Sequence, residues 1–239
     1  MTTNPYDDIA EWYDDRVRSA WGHPGDESDL LAMLTGLTGD VDGLDICDLG
    51  CGQGIVSRRF ARMGARVVGV DISSRLLAIA AREESANPLG VEYVNDDAQS
   101  LSRLSGGSFD GVVCTWSMAD IEDLDSCYRS VERILRPGGW FVFLITHPCF
   151  QGPGSRWVGA ERVVVDYFAE GFWRSENPDG VRGKVGAHHR TLSTYLNGLV
   201  EAGLSLERLV EPCGIAPINA SLPDTSKVPV FLAVRSRKT

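Results

Sequence analysis

The segment Asp48-Leu49-Gly50-Cys51-Gly52-Gln53-Gly54 follows an apolar run and precedes an amphipathic one. Gly50 and Gly52 can take positive φ and let a ligand reach the backbone with no Cβ in the way. A glycine-rich turn can also be nothing more than a tight strand-to-helix connection. Asp71 closes the next apolar run, Val67-Val68-Gly69-Val70. A carboxylate there can accept both hydroxyls of a ribose. It could instead cap the following helix, although Ser73 or Ser74 can fill that role. One strand later comes Asn95-Asp96-Asp97-Ala98, where a carboxylate could accept the exocyclic amine of an adenine and the next N–H could donate to the ring. Three such loops at the tips of three successive strands converge on one crevice.

Three histidines flank an aromatic stretch. His147 follows the apolar run Trp140–Ile145 and opens His147-Pro148-Cys149-Phe150, and His188 and His189 are read as the start of a later helix. An imidazole is the side chain best suited to take a proton near neutral pH. At a helix start the macrodipole disfavours its protonated form. The expected order as a base is His147, then His188, then His189. Any of them could instead cap a helix or bond within the core. Phe150, Trp157, Tyr167, Phe168, Phe172 and Trp173 could wall an apolar or aromatic substrate, or form a small satellite core.

The elements that must position these groups alternate. Strands are expected at Ile46–Leu49, Arg66–Val70, Val91–Val94, Asp110–Thr115 and Trp140–Ile145. Helices are expected at Ile55–Met63, Ser74–Ser85 and Asp125–Leu135, the last ended by Pro137-Gly138-Gly139. A helix over Thr191–Ala202 and strands Leu204–Val210 and Val228–Val234 follow, the two strands separated by a Pro-punctuated loop and able to close as a hairpin. Short apolar strands alternating with helices predict an α/β fold, a doubly wound, mostly parallel seven-stranded sheet with helices on both faces. One domain over 1–239 is expected. Its N-terminal part, 1–43, is a helical cap anchored by Trp12, Tyr13 and Trp21, and residues 147–188 form an aromatic-rich insert, read as a lid over the acceptor site.

The chain of 239 residues is 43% hydrophobic with a net charge of −10. That charge repels phosphate backbones and anionic lipid, so neither nucleic acid nor membrane is an expected partner. Arg156, Arg162, Arg174, Arg182, Lys184 and Arg190 are the one cluster that could form a local basic patch. The polar, acidic start lacks the pattern of a signal peptide, and the cytoplasm is the expected location. The six cysteines contain no C-x-x-C pair and are expected as reduced thiols. No carboxylates join the histidines at ligand-like spacing, so no metal is expected. An exposed aromatic lid would offer a surface for a homodimer.

The ordered set Ile46–Gly54, Val67–Ile72, Asp96–Ala98, Phe109–Thr115 and Leu135-Arg136-Pro137-Gly138-Gly139 resembles the class I S-adenosylmethionine-dependent methyltransferase family of small-molecule type. The resemblance spans about residues 44–146. It implies S-adenosyl-L-methionine as cofactor and a small-molecule methyl acceptor at N, O or C. It also implies a cofactor-binding set. Asp48, Gly50, Cys51 and Gly52 hold the methionine part, Asp71 and Ile72 the ribose, and Asp97 and Ala98 the adenine, with Thr115 and Trp116 beside the sulfonium. The opening Tyr6-Asp7-Asp8-Ile9-Ala10-Glu11-Trp12-Tyr13 is similar to a helix that covers the cofactor in such enzymes, and places Tyr13 at the methionine end. The rival reading is an NAD(P)-dependent oxidoreductase. Its G-x-G-x-x-G fingerprint fails here because position 55 is Ile. A relative that binds cofactor without catalysis is the third reading, and none of the cofactor loops is degraded.

Overall fold

The computed structural model describes residues 4–21, 29–213 and 227–239. The Trp21 side chain and most of the Pro-punctuated loop, residues 214–226, lie outside the described residues. In chain order the N-terminal segment gives α1 (Pro5–Asp8), α2 (Ala10–Trp21) and α3 (Asp29–Thr38). The alternating region gives β1 (Asp45–Leu49), α4 (Ile55–Arg62), β2 (Arg66–Asp71), α5 (Ser74–Ala86), β3 (Glu92–Asn95), β4 (Phe109–Thr115), α6 (Leu124–Ile134) and β5 (Leu135–Thr146). The insert gives β6 (Arg156–Val158), β7 (Glu161–Val163), β8 (Gly171–Trp173), α7 (Val181–Lys184) and β9 (Ala187–His189). The chain closes with α8 (Leu192–Glu201), β10 (Leu204–Val210) and β11 (Phe231–Lys238).

Seven strands form one sheet in the order β10-β11-β5-β4-β1-β2-β3. The five strands β1 to β5 pair in parallel, and β11 runs antiparallel to both β5 and β10. Side chains alternate across each strand, so one strand feeds two cores. Phe141, Phe143 and Ile145 of β5 join Tyr128 of α6 and Leu199 of α8 on one face. Trp140, Val142 and Leu144 join Leu34 of α3 and Phe60 of α4 on the other. Helices on both faces make the sheet doubly wound. The chain leaves β1 towards β2 and β3 on one side and reaches β4 and β5 on the other. The strand order therefore reverses at β1, and such a reversal opens a crevice at the strand tips.

Three local expectations need correction. Pro137-Gly138-Gly139 does not end α6, because Leu135 already has extended φ and ψ and pairs with Phe109. The Pro-Gly-Gly segment instead lies between the paired residues Leu135 and Trp140, across a register shift in β5. The last strand runs to Lys238 rather than Val234. Its polar end is held because the Arg235 guanidinium lies over the Trp140 ring at 5.4 Å and bonds to Glu207. His188 and His189 are not at a helix start. They lie on β9, paired with Gly171 and Phe172 of β8, and the Thr191 side chain caps α8 by accepting from the Thr194 N–H. The macrodipole argument for these two histidines therefore fails.

Tyr93 explains the third glycine of the turn. It pairs with Gly69 across β2 and β3, and its ring would lie 2.8 Å from a Cβ at position 69. Its hydroxyl would overlap a Cβ at Gly54, which caps α4 with φ of 83°. One aromatic side chain thus fills the space of two missing Cβ atoms and seats the glycine turn on β2. The Tyr93 hydroxyl is buried with no hydrogen-bond partner among the described residues. Gly54→Ala is expected to cost about 2–4 kcal/mol, from the left-handed backbone and overpacking together. Tyr93→Phe removes only an unpaired hydroxyl and should change stability by less than about 1 kcal/mol. In urea unfolding the double variant should recover part of the Gly54→Ala loss. A strongly destabilised Tyr93→Phe would contradict this packing.

Candidate active site

The amides of Gly50 and Cys51 both donate to the Val70 carbonyl, at 2.8 and 3.0 Å, so the glycine turn is zipped onto the end of β2. That places the next amide, Gly52 N–H, against Asp71 Oδ2 at 2.8 Å. The other oxygen, Oδ1, accepts from Ser73 N–H at 2.8 Å. The helix cap belongs to Ser73, whose Oγ accepts from Leu76 N–H at 3.2 Å. Asp71 is therefore a tie between the turn after β1 and the turn after β2. Burial pushes its pKa up to about 6, against the lowering effect of the two amides. The N-terminal cap joins the same turn, because Ser73 Oγ donates to Asp7 Oδ1 at 2.7 Å.

The other expected cofactor residues line the same strand tips. Gly50 and Gly52 have φ of 69° and 54°; a Cβ at Gly50 would overlap the Ser117 side chain, whereas one at Gly52 would meet only Leu76 Cδ1 at 3.9 Å. Asp48 is fully buried beneath the turn. Its Oδ2 accepts from Ser57 Oγ at 2.5 Å, Oδ1 has no partner among the described residues, and desolvation pushes its pKa up to about 7. Cys51 is buried and Ile72 is 53% exposed. Asp97 Oδ1 accepts from the Gln99 amide at 2.9 Å, Asp97 N–H donates to Asp96 Oδ1 at 2.8 Å, and Ala98 is half-buried beside them. At the tip of β4, Thr115 is buried and Trp116 has φ of 69°. A left-handed backbone costs a bulky residue about 1–2 kcal/mol and persists only where neighbours enforce it. Here Trp116 N–H donates to Leu144 O at 2.8 Å and the indole meets Phe231 edge-on at 4.8 Å.

Sequence reasoning missed Asp120, Tyr6 and the role of Arg182. Tyr6 OH donates to Asp120 Oδ1 at 3.2 Å, Arg182 pairs with the same carboxylate, and Tyr6 and Tyr13 stack edge-on at 5.2 Å. Burial first, then the Asp120 charge, raises the pKa of both tyrosines, so both stay neutral phenols. The available signal was an acidic residue shortly after β4, as after β2 and β3. Its arginine partner lies too far along the chain to be read.

The three histidines part company. His147 is buried, its Nδ1 accepts from Cys149 N–H at 3.2 Å, and its Nε2 lies 2.7 Å from Glu211 Oε1. Nε2 is then the protonated nitrogen, and both ring nitrogens are engaged. His189 is buried and its Nε2 donates to Tyr167 O at 2.8 Å. His188 is half-buried, and among the described residues no hydrogen bond reaches its ring, which meets Phe172 edge-on at 5.4 Å. Its backbone N–H donates to Ala119 O at 2.7 Å, which fastens β9 to the loop after β4. Burial, then the Arg190 charge, lowers its pKa, while Glu122 and Asp120 oppose the shift.

The insert's aromatics form no buried cluster among the described residues, and Phe168 and Phe172 are 86% and 59% exposed. The basic residues of this region are engaged with backbone carbonyls and an aromatic ring. Arg162 donates to Phe150 O, Arg174 to Lys184 O and Arg190 to Ile121 O and Glu122 O, while Lys184 sits over the Trp12 ring at 4.8 Å. Arg162 and Arg174 thus tie together backbone of the insert, while Lys184 and Arg190 fasten it and the following turn to α2 and to the loop after β4. Among the described residues no helix is long and apolar enough to cross a membrane, and no three His, Cys, Asp or Glu side chains gather as a metal cage.

The crevice suits S-adenosylmethionine, which carries a sulfonium and an ammonium. Asp48 and Asp71 are desolvated carboxylates beside the glycine turn, and Asp48 Oδ1 is buried with no donor among the described residues. A positive charge or a hydrogen-bond donor brought there would favour both ionised forms. Residues 47–143 match the family described as "Methyltransferase domain". The ubiquinone biosynthesis O-methyltransferase of Ralstonia nicotianae is 32% identical over 60% of this chain and 63% of its own length. That of Leptothrix cholodnii is 35% identical over 48% of this chain and 49% of its own. The chain thus spans from about half to 63% of the length of these curated relatives. A solved S-adenosylmethionine-dependent methyltransferase from Mesorhizobium loti superposes with a TM-score of 0.72 at 33% identity, over 86% of this chain and 96% of that one. The strand order, the strand-tip loops and these likenesses agree, and the chain belongs to the class I S-adenosylmethionine-dependent methyltransferase family.

Proposed function

We propose that the protein transfers a methyl group from S-adenosylmethionine to an oxygen of a small molecule, with His188 as the base. In this reading residues 1–239 work as one unit, 1–43 cover the cofactor and 147–188 close over the acceptor. The Asp48–Gly52 turn takes the methionine part, Asp71 and Ile72 the ribose, and Asp97 and Ala98 the adenine. Thr115, Trp116 and Tyr13 border the sulfur. The oxygen acceptor draws support from the relatives named as ubiquinone biosynthesis O-methyltransferases. The observation that carries the base assignment is the ring of His188. It has no hydrogen-bond partner among the described residues and stands on a strand fixed to the loop after β4.

When bound, S-adenosylmethionine supplies a methyl carbon activated by positive sulfur. The remaining work falls to the chain. It must align the acceptor with that carbon, exclude water, and remove a proton from a hydroxyl nucleophile. A lowered pKa keeps His188 neutral at pH 7, the form that accepts a proton. His147 and His189 position the insert through the bonds already given. The experiment that tests the whole reading is incubation with labelled cofactor and a panel of phenols, amines and carboxylic acids, followed by a search for methylated mass. Methylation confined to amines or carboxylates would overturn the hydroxyl assignment.

Two variants test the parts. Asp71→Asn should weaken S-adenosylhomocysteine binding by about tenfold or more, since charge-assisted bonds to the ribose are lost. In the wild type, affinity should fall as the pH drops below about 6, where the carboxylate protonates. The sign for folding is opposite. The folded state holds the Asp71 proton where the unfolded chain has lost it, so this group lowers stability as pH rises from about 4 to 6. Both dependences should vanish in Asp71→Asn, and unchanged affinity would leave Asp71 as a structural tie. His188→Ala, assayed at saturating cofactor with a phenol, should lower kcat by about 10²-fold or more. It should also abolish a rate loss on acidification that sets in below the ordinary histidine value. Survival of that inflection in His188→Ala, with its loss in His147→Ala, would move the base to His147.

A further inference from the structure

Arg182 sits on the one short helical turn of the insert, and its guanidinium reaches three places. It pairs with Asp120, donates to Gly186 O at 3.2 Å and donates to Trp116 O at 3.3 Å. Two of these lie in the loop after β4, one at its left-handed first residue, Trp116, and one at Asp120. Gly186 O lies immediately before β9, the strand that carries His188. The same loop also accepts the His188 N–H at Ala119 O. We infer that Arg182 is a positioning residue for the transfer, holding the loop beside the methyl donor and the base-bearing strand in one fixed relation.

The geometry separates this role from that of an ordinary ion pair. An ion pair needs only the Asp120 carboxylate. Arg182 spends further donors on two carbonyls, and the planar fork of a guanidinium can serve all three acceptors whereas the single point of an ammonium cannot. The carbonyl it takes at Trp116 belongs to the residue whose backbone must be enforced. Alignment is the chief demand of this reaction, and a displacement of the order of 1 Å between the donor wall and the acceptor base is costly. The role in catalysis rests on the methyl-transfer reading, while the mechanical coupling does not.

The test uses Arg182→Met, Arg182→Met with Asp120→Asn, and Arg182→Lys in the full chain. The double variant removes both charges of the pair, so its Tm should return to near that of the wild type. Hydrogen exchange read by mass spectrometry, with and without S-adenosylhomocysteine, should nonetheless show both 116–120 and 187–190 exchanging about tenfold faster or more, with the sheet unchanged. Arg182→Lys should show the same paired loosening despite its retained charge. Where the wild type methylates a hydroxyl acceptor, kcat of the double variant should fall about tenfold or more while the Kd for S-adenosylhomocysteine changes less than about threefold. Wild-type exchange in both segments of the double variant, or recovery of kcat together with Tm, overturns the inference. A wild type that methylates nothing sinks the transfer reading instead, and the exchange measurement still decides the coupling. Should the double variant fail to fold, Arg182→Lys carries the same decision.

Discussion

The strand-tip crevice depends on one carboxylate. Asp71 accepts one amide from the turn after β1 and one from the turn after β2, each at 2.8 Å. The tie is made in a desolvated place, and the cost shows in a pKa raised to about 6. A carboxylate held at such a cost is a strong acceptor for further donors, and a ribose brings two. In the proposed function, folding and ligand binding therefore draw on the same group. The N-terminal helix α1 joins it through Asp7 and Ser73, so α1, turn and strand end share one short chain of hydrogen bonds.

On the other side of β1 the constraint is backbone strain. Trp116 is held left-handed at the tip of β4 by Leu144 O, by Phe231 and by Arg182. The loop that follows carries Asp120, where the N-terminal Tyr6 and the insert's Arg182 meet. The N-terminal helices and the insert, from opposite parts of the sequence, meet at one carboxylate. The glycines serve the same end by different means. Gly52 leaves room over the crevice, whereas Gly54 and Gly69 leave room for the Tyr93 ring that seats the turn. The third glycine of the motif is thus a packing position.

What could be read from the sequence was what is local. The glycine turn, Asp71 and the alternating strands are each set by neighbours a few residues away, and the seven-stranded sheet follows from their order. The insert escaped because its strands are three residues long and carry no alternation to detect. His188 and His189 looked like a helix start because a capping threonine follows closely, yet pairing with β8 outweighs that local signal. The fate of His147 was invisible for another reason: its partner Glu211 lies 64 residues away, so a histidine at a strand tip gives no sign that both nitrogens are taken. Arg182 and Asp120, 62 residues apart, were hidden in the same way.

On this reading the crevice at the β1 reversal holds an adenosyl thioether or sulfonium rather than a dinucleotide. Calorimetric titration of the full chain with S-adenosylhomocysteine, and separately with NAD, tests it most directly. Saturable one-to-one heat is expected with S-adenosylhomocysteine, and none with NAD. Binding of NAD, with no heat from S-adenosylhomocysteine, would contradict it.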